Sequence, residues 1–213
     1  MPGLRSAGLP IASAGIESWS TDMDRGKTDE TMSLRDLRAD FLAGSTESMP
    51  LAGLIVWAAL GLAALALPAR TIGTLALYIM AAILPLAFVI DRARGRRLFA
   101  GGDHNPLTRL FLVSIVGIGL TVPLVIVAAQ LSRQPDLVVL GMAILAGVIW
   151  IPYGWAAGDP VGLRHAIGRA VGAYAAFAFA PVPYRASAVC AVVVLAYCYS
   201  LTSMRRPGVA QPA

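Results

Sequence analysis

Two arginines and a histidine lie close together within one apolar segment of the chain, in Arg164-His165-Ala-Ile-Gly-Arg169. His165 and Arg169 are four residues apart, so a helix presents both on one face. A guanidinium is a planar, charged donor that suits carboxylate or phosphate, and the free N–H groups at a helix start also favour an anion. Because an ionisable residue at membrane depth is a functional-site hypothesis by default, these residues predict a site for a small anion or a lipid headgroup.

Aromatic residues precede this basic group along the chain, in Trp150-Ile-Pro-Tyr-Gly-Trp155. Tyr153 and Trp155 are included in the predicted ligand site. Residues of this type also form belts at membrane–water interfaces, and that alternative stays open. Pro152 has no N–H and frees a carbonyl that a neighbouring group must satisfy.

A structural role is the alternative for the two buried basic residues. Arg169 would then extend to the cytoplasmic interface, or it would pair with Asp91 or Asp159. His165 would hydrogen-bond the carbonyl that Pro152 frees. On this alternative the basic residues hold the helices together and bind no ligand.

Small and turn-forming residues surround the same segment. Gly168 and Gly172 have the four-residue spacing that lets helix backbones approach closely. Asp159 is expected to cap the helix whose first residue is Pro160. Pro85, Pro123 and Pro152 lie within apolar segments and predict local kinks or openings.

Neither a metal site nor a catalytic residue is predicted, and no cofactor is expected. His104, His165, Asp103 and Asp159 lack a defined ligand spacing. Phosphate-binding loops, nucleophile elbows and zinc-protease motifs are also missing from the sequence. The pattern therefore does not favour an enzyme.

The composition requires lipid as the solvent for most of the chain. Hydrophobic residues make up 57% and charged residues only 14% of the 213 residues, whereas a soluble domain has about 25% charged residues. The net charge of +5 comes from basic residues beside apolar segments, which is typical of contact with anionic headgroups and not of nucleic-acid binding. We therefore predict an all-α polytopic membrane protein.

Six apolar segments approach the roughly 20 residues that cross a bilayer. They span residues 50–67, 71–90, 107–129, 137–155, 161–180 and 186–204. We expect a disordered N-terminal extension at 1–32, an amphipathic interfacial helix at 33–49, a six-helix transmembrane domain at 50–204 and a cytoplasmic tail at 205–213. Met32 is an alternative start of the chain.

The arginines set the predicted orientation, because basic residues concentrate on the cytoplasmic side of membrane proteins. One side holds Arg35, Arg38, Arg92, Arg94, Arg96, Arg97, Arg205 and Arg206, and the other holds Arg70, Arg133 and Arg185. Both termini are therefore placed in the cytoplasm. Extensive use of Ala, Gly and Arg suggests a bacterial genome rich in G and C, and hence a bacterial inner (plasma) membrane.

Short motifs along the chain together resemble an uncharacterised family of small bacterial six-helix integral membrane proteins. The motifs are Leu37-Arg-Ala-Asp-Phe-Leu42, Asn105-Pro-Leu107, Trp150-Ile-Pro-Tyr-Gly-Trp155 and the segment 165–169. The resemblance covers residues 33–204. It implies a six-helix membrane protein, and it carries no activity because the family is a domain of unknown function.

Three functions stay open. The first is a transporter or permease-like protein for a small anionic solute, as a homodimer because six spans are few for a solute pathway. The absence of Asp and Glu from the predicted spans argues against carboxylate-based proton or sodium coupling. The second is a membrane partner that binds lipid, such as anionic lipid, or protein without transport. The third is a small intramembrane enzyme acting on lipid.

Overall fold

The computed structural model describes residues 32–45, 47–95 and 104–205. The chain divides into the units Met1–Leu34 and Arg35–Ala213, and only the second lies largely within these ranges. The described residues form α-helices and one 3₁₀ turn, Val182–Tyr184, without strands, which confirms the predicted all-α class. The helices are α1 Leu34–Gly44, α2 Ser48–Ala63, α3 Ala69–Ala93, α4 Pro106–Gly119, α5 Val122–Ser132, α6 Asp136–Val148, α7 Trp150–Ala157, α8 Val161–Phe179 and α9 Arg185–Ser203.

Four helical stretches of the described chain are long and apolar enough to cross a membrane. They are Ala69–Ala93, Pro106–Ser132, Asp136–Ala157 and Val182–Ser203, and the pair α1 and α2, bent by 51°, makes a fifth if it counts as one span. The predicted number of six also requires α2 and α8 as separate spans. Helix α2 has only 16 residues, and the basic residues of α8 lower its hydropathy.

Two of the three prolines within apolar segments follow breaks in the helices. Leu120 and Thr121 separate α4 from α5 just before Pro123, and Ile149 separates α6 from α7 before Pro152. A proline removes one backbone donor and its ring clashes with the preceding turn. Pro85 lies inside α3, which continues past it.

Several predicted boundaries shift. Helix α1 ends at Gly44 and α2 begins at Ser48, so the predicted interfacial helix at 33–49 covers parts of two helices. The helix formed by the first apolar segment ends at Ala63, because residues 64–67 form turns before Pro68. The predicted extension at 1–32 and tail at 205–213 lie outside the described residues, apart from Met32 and Arg205.

Helices α2, α3, α6, α8 and α9 form the centre of the bundle. Helix α9 packs against α8, α2 and α6, while α3 joins α2 to α6. Their shared core includes Trp57, Leu60, Val139, Val189 and Val193. The α4–α5 stretch lies at the edge, because only 6% of its apolar window is buried.

Glycines allow a close approach of α7 and α8. A Cβ added at Gly154 would lie 2.8 Å from the Gly162 Cα. At Gly172 a Cβ would lie 2.7 Å from Val192 Cγ1, so this glycine also permits tight packing. Gly168 differs from the prediction of close packing, because a Cβ there meets no atom of the described chain within 4 Å. The α7–α8 contact fixes the position of the basic face of α8.

Candidate functional site

Helix α8 directs His165 and Arg169 into the interior of the bundle. Arg169 is 0% exposed and His165 is 1% exposed. Their four-residue spacing places them on the face that packs against α6 and α9. Arg164 is exposed instead, because one residue along a helix turns the side chain by about 100°. The structure therefore brings together two of the three predicted basic residues.

Two aromatic rings enclose the guanidinium of Arg169. Its Cζ lies 5.2 Å from the ring centroid of Trp57 on α2 and 5.2 Å from that of Tyr197 on α9. Gly147 of α6 leaves space for the side chain, since a Cβ there would lie 3.1 Å from Arg169 Cδ. A desolvated cation–π contact is worth about 2 kcal/mol, so these rings partly offset the burial of the charge.

His165 is held by hydrogen bonding and by stacking. Its Nδ1 lies 2.6 Å from Ser200 Oγ, and its Nε2 lies 3.5 Å from Arg169 Nη1. Because a guanidinium only donates, Nε2 is the acceptor side of the ring and Nδ1 carries the proton toward Ser200. The imidazole stacks on Trp150, with 4.2 Å between the ring centroids. The backbone partner of His165 is Ala196 of α9 and not a carbonyl freed by Pro152, and Ser200 supplies the side-chain contact.

One edge of the Arg169 guanidinium is buried without a hydrogen-bond partner. Neither Nε nor Nη2 meets an acceptor in the part of the chain that the structure describes, and Trp57 Nε1 is in the same state. A buried donor without an acceptor costs about 1–3 kcal/mol, and more when it is charged. Nε and Nη2 lie on the same edge of the guanidinium, where two parallel N–H groups match the two oxygens of a carboxylate.

The predicted carboxylate partners of Arg169 make other contacts. Asp91 accepts a hydrogen bond from the Ser48 hydroxyl. Asp159 Oδ1 accepts the Val161 N–H at 2.9 Å, and Oδ2 accepts the Arg205 N–H at 2.7 Å. The Asp159 contacts tie the start of α8 to the end of α9. No acidic side chain among the described residues satisfies the Nε–Nη2 edge.

The two aromatic residues of the predicted site lie apart from the guanidinium. Tyr153 contacts Trp150 edge-on, at 5.4 Å between ring centroids, and also packs against Phe41. Trp155 is 52% exposed, with Arg38 Cζ lying 5.7 Å from its ring. Tyr153 therefore lies beside Trp150 and lines an apolar cavity with it, away from the guanidinium, whereas Trp155 is not among the residues that line this cavity.

Four site residues were missed at the level of sequence: Trp57, Trp150, Tyr197 and Ser200. They come from α2, α7 and α9, whereas the prediction joined residues that are close along the chain. Ser200 and Tyr197 are three residues apart in the last apolar segment and so share a helix face. This three-residue spacing was the sequence signal that could have linked Tyr197 and Ser200. Among the described residues no group of three His, Cys, Asp or Glu is arranged to hold a metal.

A cavity of about 170 Å³ borders two of these aromatic residues. Trp150 and Tyr197 line it, and both also contact the basic pair. The remaining wall is almost wholly apolar and includes Met80 and Phe111. Trp150 and Tyr197 thus contact both this apolar space and the basic pair, whereas His165 and Arg169 do not line the cavity themselves.

These features define an all-helical protein with four or five helices of membrane-crossing length and a buried arginine between aromatic rings. The chain belongs to the Family of unknown function (DUF7010), whose family model matches residues 34–205. This membership confirms the resemblance to an uncharacterised domain family. No curated protein and no solved structure matches the chain.

Proposed function

We propose that this protein crosses the membrane six times and transports a small anionic solute that binds at Arg169. The observation that supports this proposal is the Nε–Nη2 edge of Arg169, which is buried and has no acceptor in the described chain. Breaking a buried charge pair is strongly unfavourable because an uncompensated charge is left behind. A bound anion would supply the missing charge and accept both N–H groups.

Exposed apolar side chains support the membrane location. Large hydrophobic residues on the outer faces of the helices are exposed, among them Leu120, Leu124, Leu131, Phe179 and Leu195. Contiguous apolar surface of this kind is unfavourable in water. In a bilayer, α2 and α8 complete six spans, since the buried basic residues of α8 face protein and not lipid.

The distribution of arginine supports cytoplasmic termini in the plasma membrane. With six crossings, the ends of α3 and α9 share the side of α1, and Arg35, Arg92 and Arg205 lie there. Arg70 and Arg133 lie at the opposite ends of the helices. An excess of basic residues marks the cytoplasmic side.

The depth of Arg169 suits a transport site. It lies eight residues beyond the start of α8 at Val161, which corresponds to about 12 Å along the helix axis. Transporter sites lie near the bilayer midplane. Because Arg169 is fully enclosed, transport requires the surrounding rings to move and open the site to either side in turn.

Flux into liposomes tests the proposal. Uptake of radiolabelled acetate, benzoate and phosphate is measured as the flux above that of protein-free liposomes, because the neutral acids also cross lipid unaided. Arg169→Gln is compared with Arg164→Gln as the matched control. We expect one of the anions to cross, with Arg169→Gln slowing its flux at least about tenfold, the effect of 1.4 kcal/mol. Arg164→Gln should leave the flux nearly unchanged, because Arg164 is exposed. Equal flux in the two variants would overturn the assignment of Arg169.

A second candidate function is a membrane partner that binds lipid without transport. The apolar cavity favours it, because an acyl chain would fit such a wall. The same liposome experiment separates the two functions. A lipid-binding protein would purify with anionic lipid and give no flux of any of the three anions.

A further inference from the structure

We infer that the anion is an organic monocarboxylate with a small apolar body. Its carboxylate would bind the Nε–Nη2 edge of Arg169, and its apolar body would occupy the cavity beyond Trp150 and Tyr197. This inference rests on the proposed function, in which Arg169 binds an anion, and it adds the chemical class of that anion.

The charge of the site selects a monoanion. Arg169 is the one arginine or lysine among the buried residues of the described chain. A dianion such as phosphate would leave one negative charge uncompensated in a dry interior, which is strongly unfavourable. The two parallel N–H groups on one guanidinium edge match a carboxylate, which accepts them with its two oxygens.

The cavity selects an apolar body of limited size. Its wall includes Met80, Ile83, Phe111 and Ala146, so it offers few partners to water. Its volume of about 170 Å³ is close to that of an engineered apolar cavity of about 150 Å³ that stays dry and binds benzene. A body of six to eight carbon atoms, roughly a benzene ring or a short branched chain, therefore fits the space.

Tyr197 connects the two halves of the site. It lines the cavity and also lies 5.2 Å from Arg169 Cζ. Gly53 allows the ring to lie there, since a Cβ at Gly53 would be 2.8 Å from Tyr197 Cε1. The inference requires this ring to move, so that the apolar cavity and the guanidinium edge become one site. A ligand with a carboxylate next to an apolar body would span that junction.

Thermal unfolding of the full chain in neutral detergent tests the inference. The probes are sodium benzoate, benzyl alcohol, sodium acetate, sodium phosphate and phosphatidylglycerol, at matched ionic strength. A ligand that binds only the folded state raises the Tm with its concentration. We expect benzoate to raise the Tm more than any other probe, and Arg169→Gln to abolish that rise.

A pair of variants on α3 keeps the test decisive if Arg169→Gln fails to fold. Leu84 lines the cavity and is 41% exposed, so Leu84→Trp would fill the space from its accessible side. Val89 is 63% exposed on the same helix and lies away from the cavity, so Val89→Trp is the matched control. The benzoate response should be lost in Leu84→Trp and kept in Val89→Trp.

The contrary outcomes separate the inference from the proposed function. If phosphate matches benzoate, the carboxylate is wrong while the anion site stands. If acetate matches benzoate and Leu84→Trp responds like Val89→Trp, the apolar body in the cavity is wrong while the anion site stands. If benzyl alcohol matches benzoate, or phosphatidylglycerol exceeds it, the inference is also wrong. If none of the three small anions raises the Tm of the wild type, the anion site itself is wrong.

Discussion

At the scale of the residue, Arg169 has favourable contacts with two aromatic rings and an unfavourable pair of buried N–H donors without acceptors. The rings of Trp57 and Tyr197 stabilise its charge through their faces. The Tyr197 side chain also makes a hydrogen bond with the guanidinium, but Nε and Nη2 are left without an acceptor among the described residues. Spacing alone predicted that His165 and Arg169 share a face. The enclosing rings could not be predicted, because they come from distant segments that only tertiary packing brings together.

The ring of Tyr197, more than its hydroxyl, should stabilise the fold. Tyr197→Phe keeps the ring over Arg169 and removes the hydrogen bond between the Tyr197 hydroxyl and the guanidinium. It should therefore lower the free energy of unfolding by about 1 kcal/mol. Tyr197→Ala leaves a cavity beside a buried charge and should cost about 3–5 kcal/mol. Denaturant titration of both variants in detergent measures the difference. Equal losses would show that the hydroxyl, and not the ring, holds the arginine.

At the scale of the element, proline positions and capping groups govern where helices begin and break. The six apolar segments were predicted with boundaries close to those observed, since long apolar runs are a strong signal. The breaks before Pro123 and Pro152 agree with the predicted openings, whereas α3 continues through Pro85. The predicted boundary between the interfacial helix and the first apolar segment, at residues 49 and 50, falls just inside α2, which begins at Ser48.

Two glycines of α8 form a matched test of helix packing. Gly162→Ala would bring a Cβ to 2.6 Å from the Gly154 Cα, and overpacking of this kind costs about 1–3 kcal/mol. Gly168→Ala meets open space in the described chain and should stabilise α8 by about 0.8–1 kcal/mol, the difference in helix propensity. Melting temperatures of the two variants should therefore move in opposite directions. A drop for Gly168→Ala would show that another surface covers this glycine.

Asn105 links α1 to α4, and a single substitution can separate its two roles. Its oxygen accepts the Leu107 N–H, while its amide donates to Leu37 O at 2.8 Å and to Asp40 Oδ2 at 2.9 Å. Asn105→Asp keeps the cap of α4 and loses both donors, and it places a second carboxylate beside Asp40. Hydrogen exchange should accelerate in Leu34–Gly44 but not at the start of α4. Faster exchange in both helices would contradict separate roles.

At the scale of the whole molecule, the proposed six crossings with cytoplasmic termini predict a definite pattern of accessibility. In a background with Cys190→Ala and Cys198→Ala, Ser132→Cys would lie outside and Thr202→Cys inside. Both positions are exposed at the ends of their helices. An impermeant maleimide applied to intact cells should label only Ser132→Cys. Labelling of Thr202→Cys alone would invert the orientation, and labelling of both would contradict an odd number of crossings between them.

The weakly buried α4–α5 stretch is a surface through which two copies of the chain could associate. We propose a homodimer, because six spans are few for a solute pathway and this edge presents a wide apolar face. Native mass spectrometry from detergent should give a species of twice 22.3 kDa. A single-chain mass under all mild detergent conditions would contradict the dimer. Lipid alone would then cover the α4–α5 face.

The most direct test of the anion site is the ¹⁵N NMR spectrum of the arginine Nε–H groups in the purified protein. The Arg169 signal is assigned by its absence in Arg169→Lys and followed during titration with sodium benzoate. We predict a saturable shift of this signal, with no comparable shift for the exposed Arg164, because the ligand accepts the Arg169 Nε–H. An Arg169 signal that stays unchanged at saturating benzoate, acetate and phosphate would contradict the proposal and leave Arg169 a structural cation held between Trp57 and Tyr197.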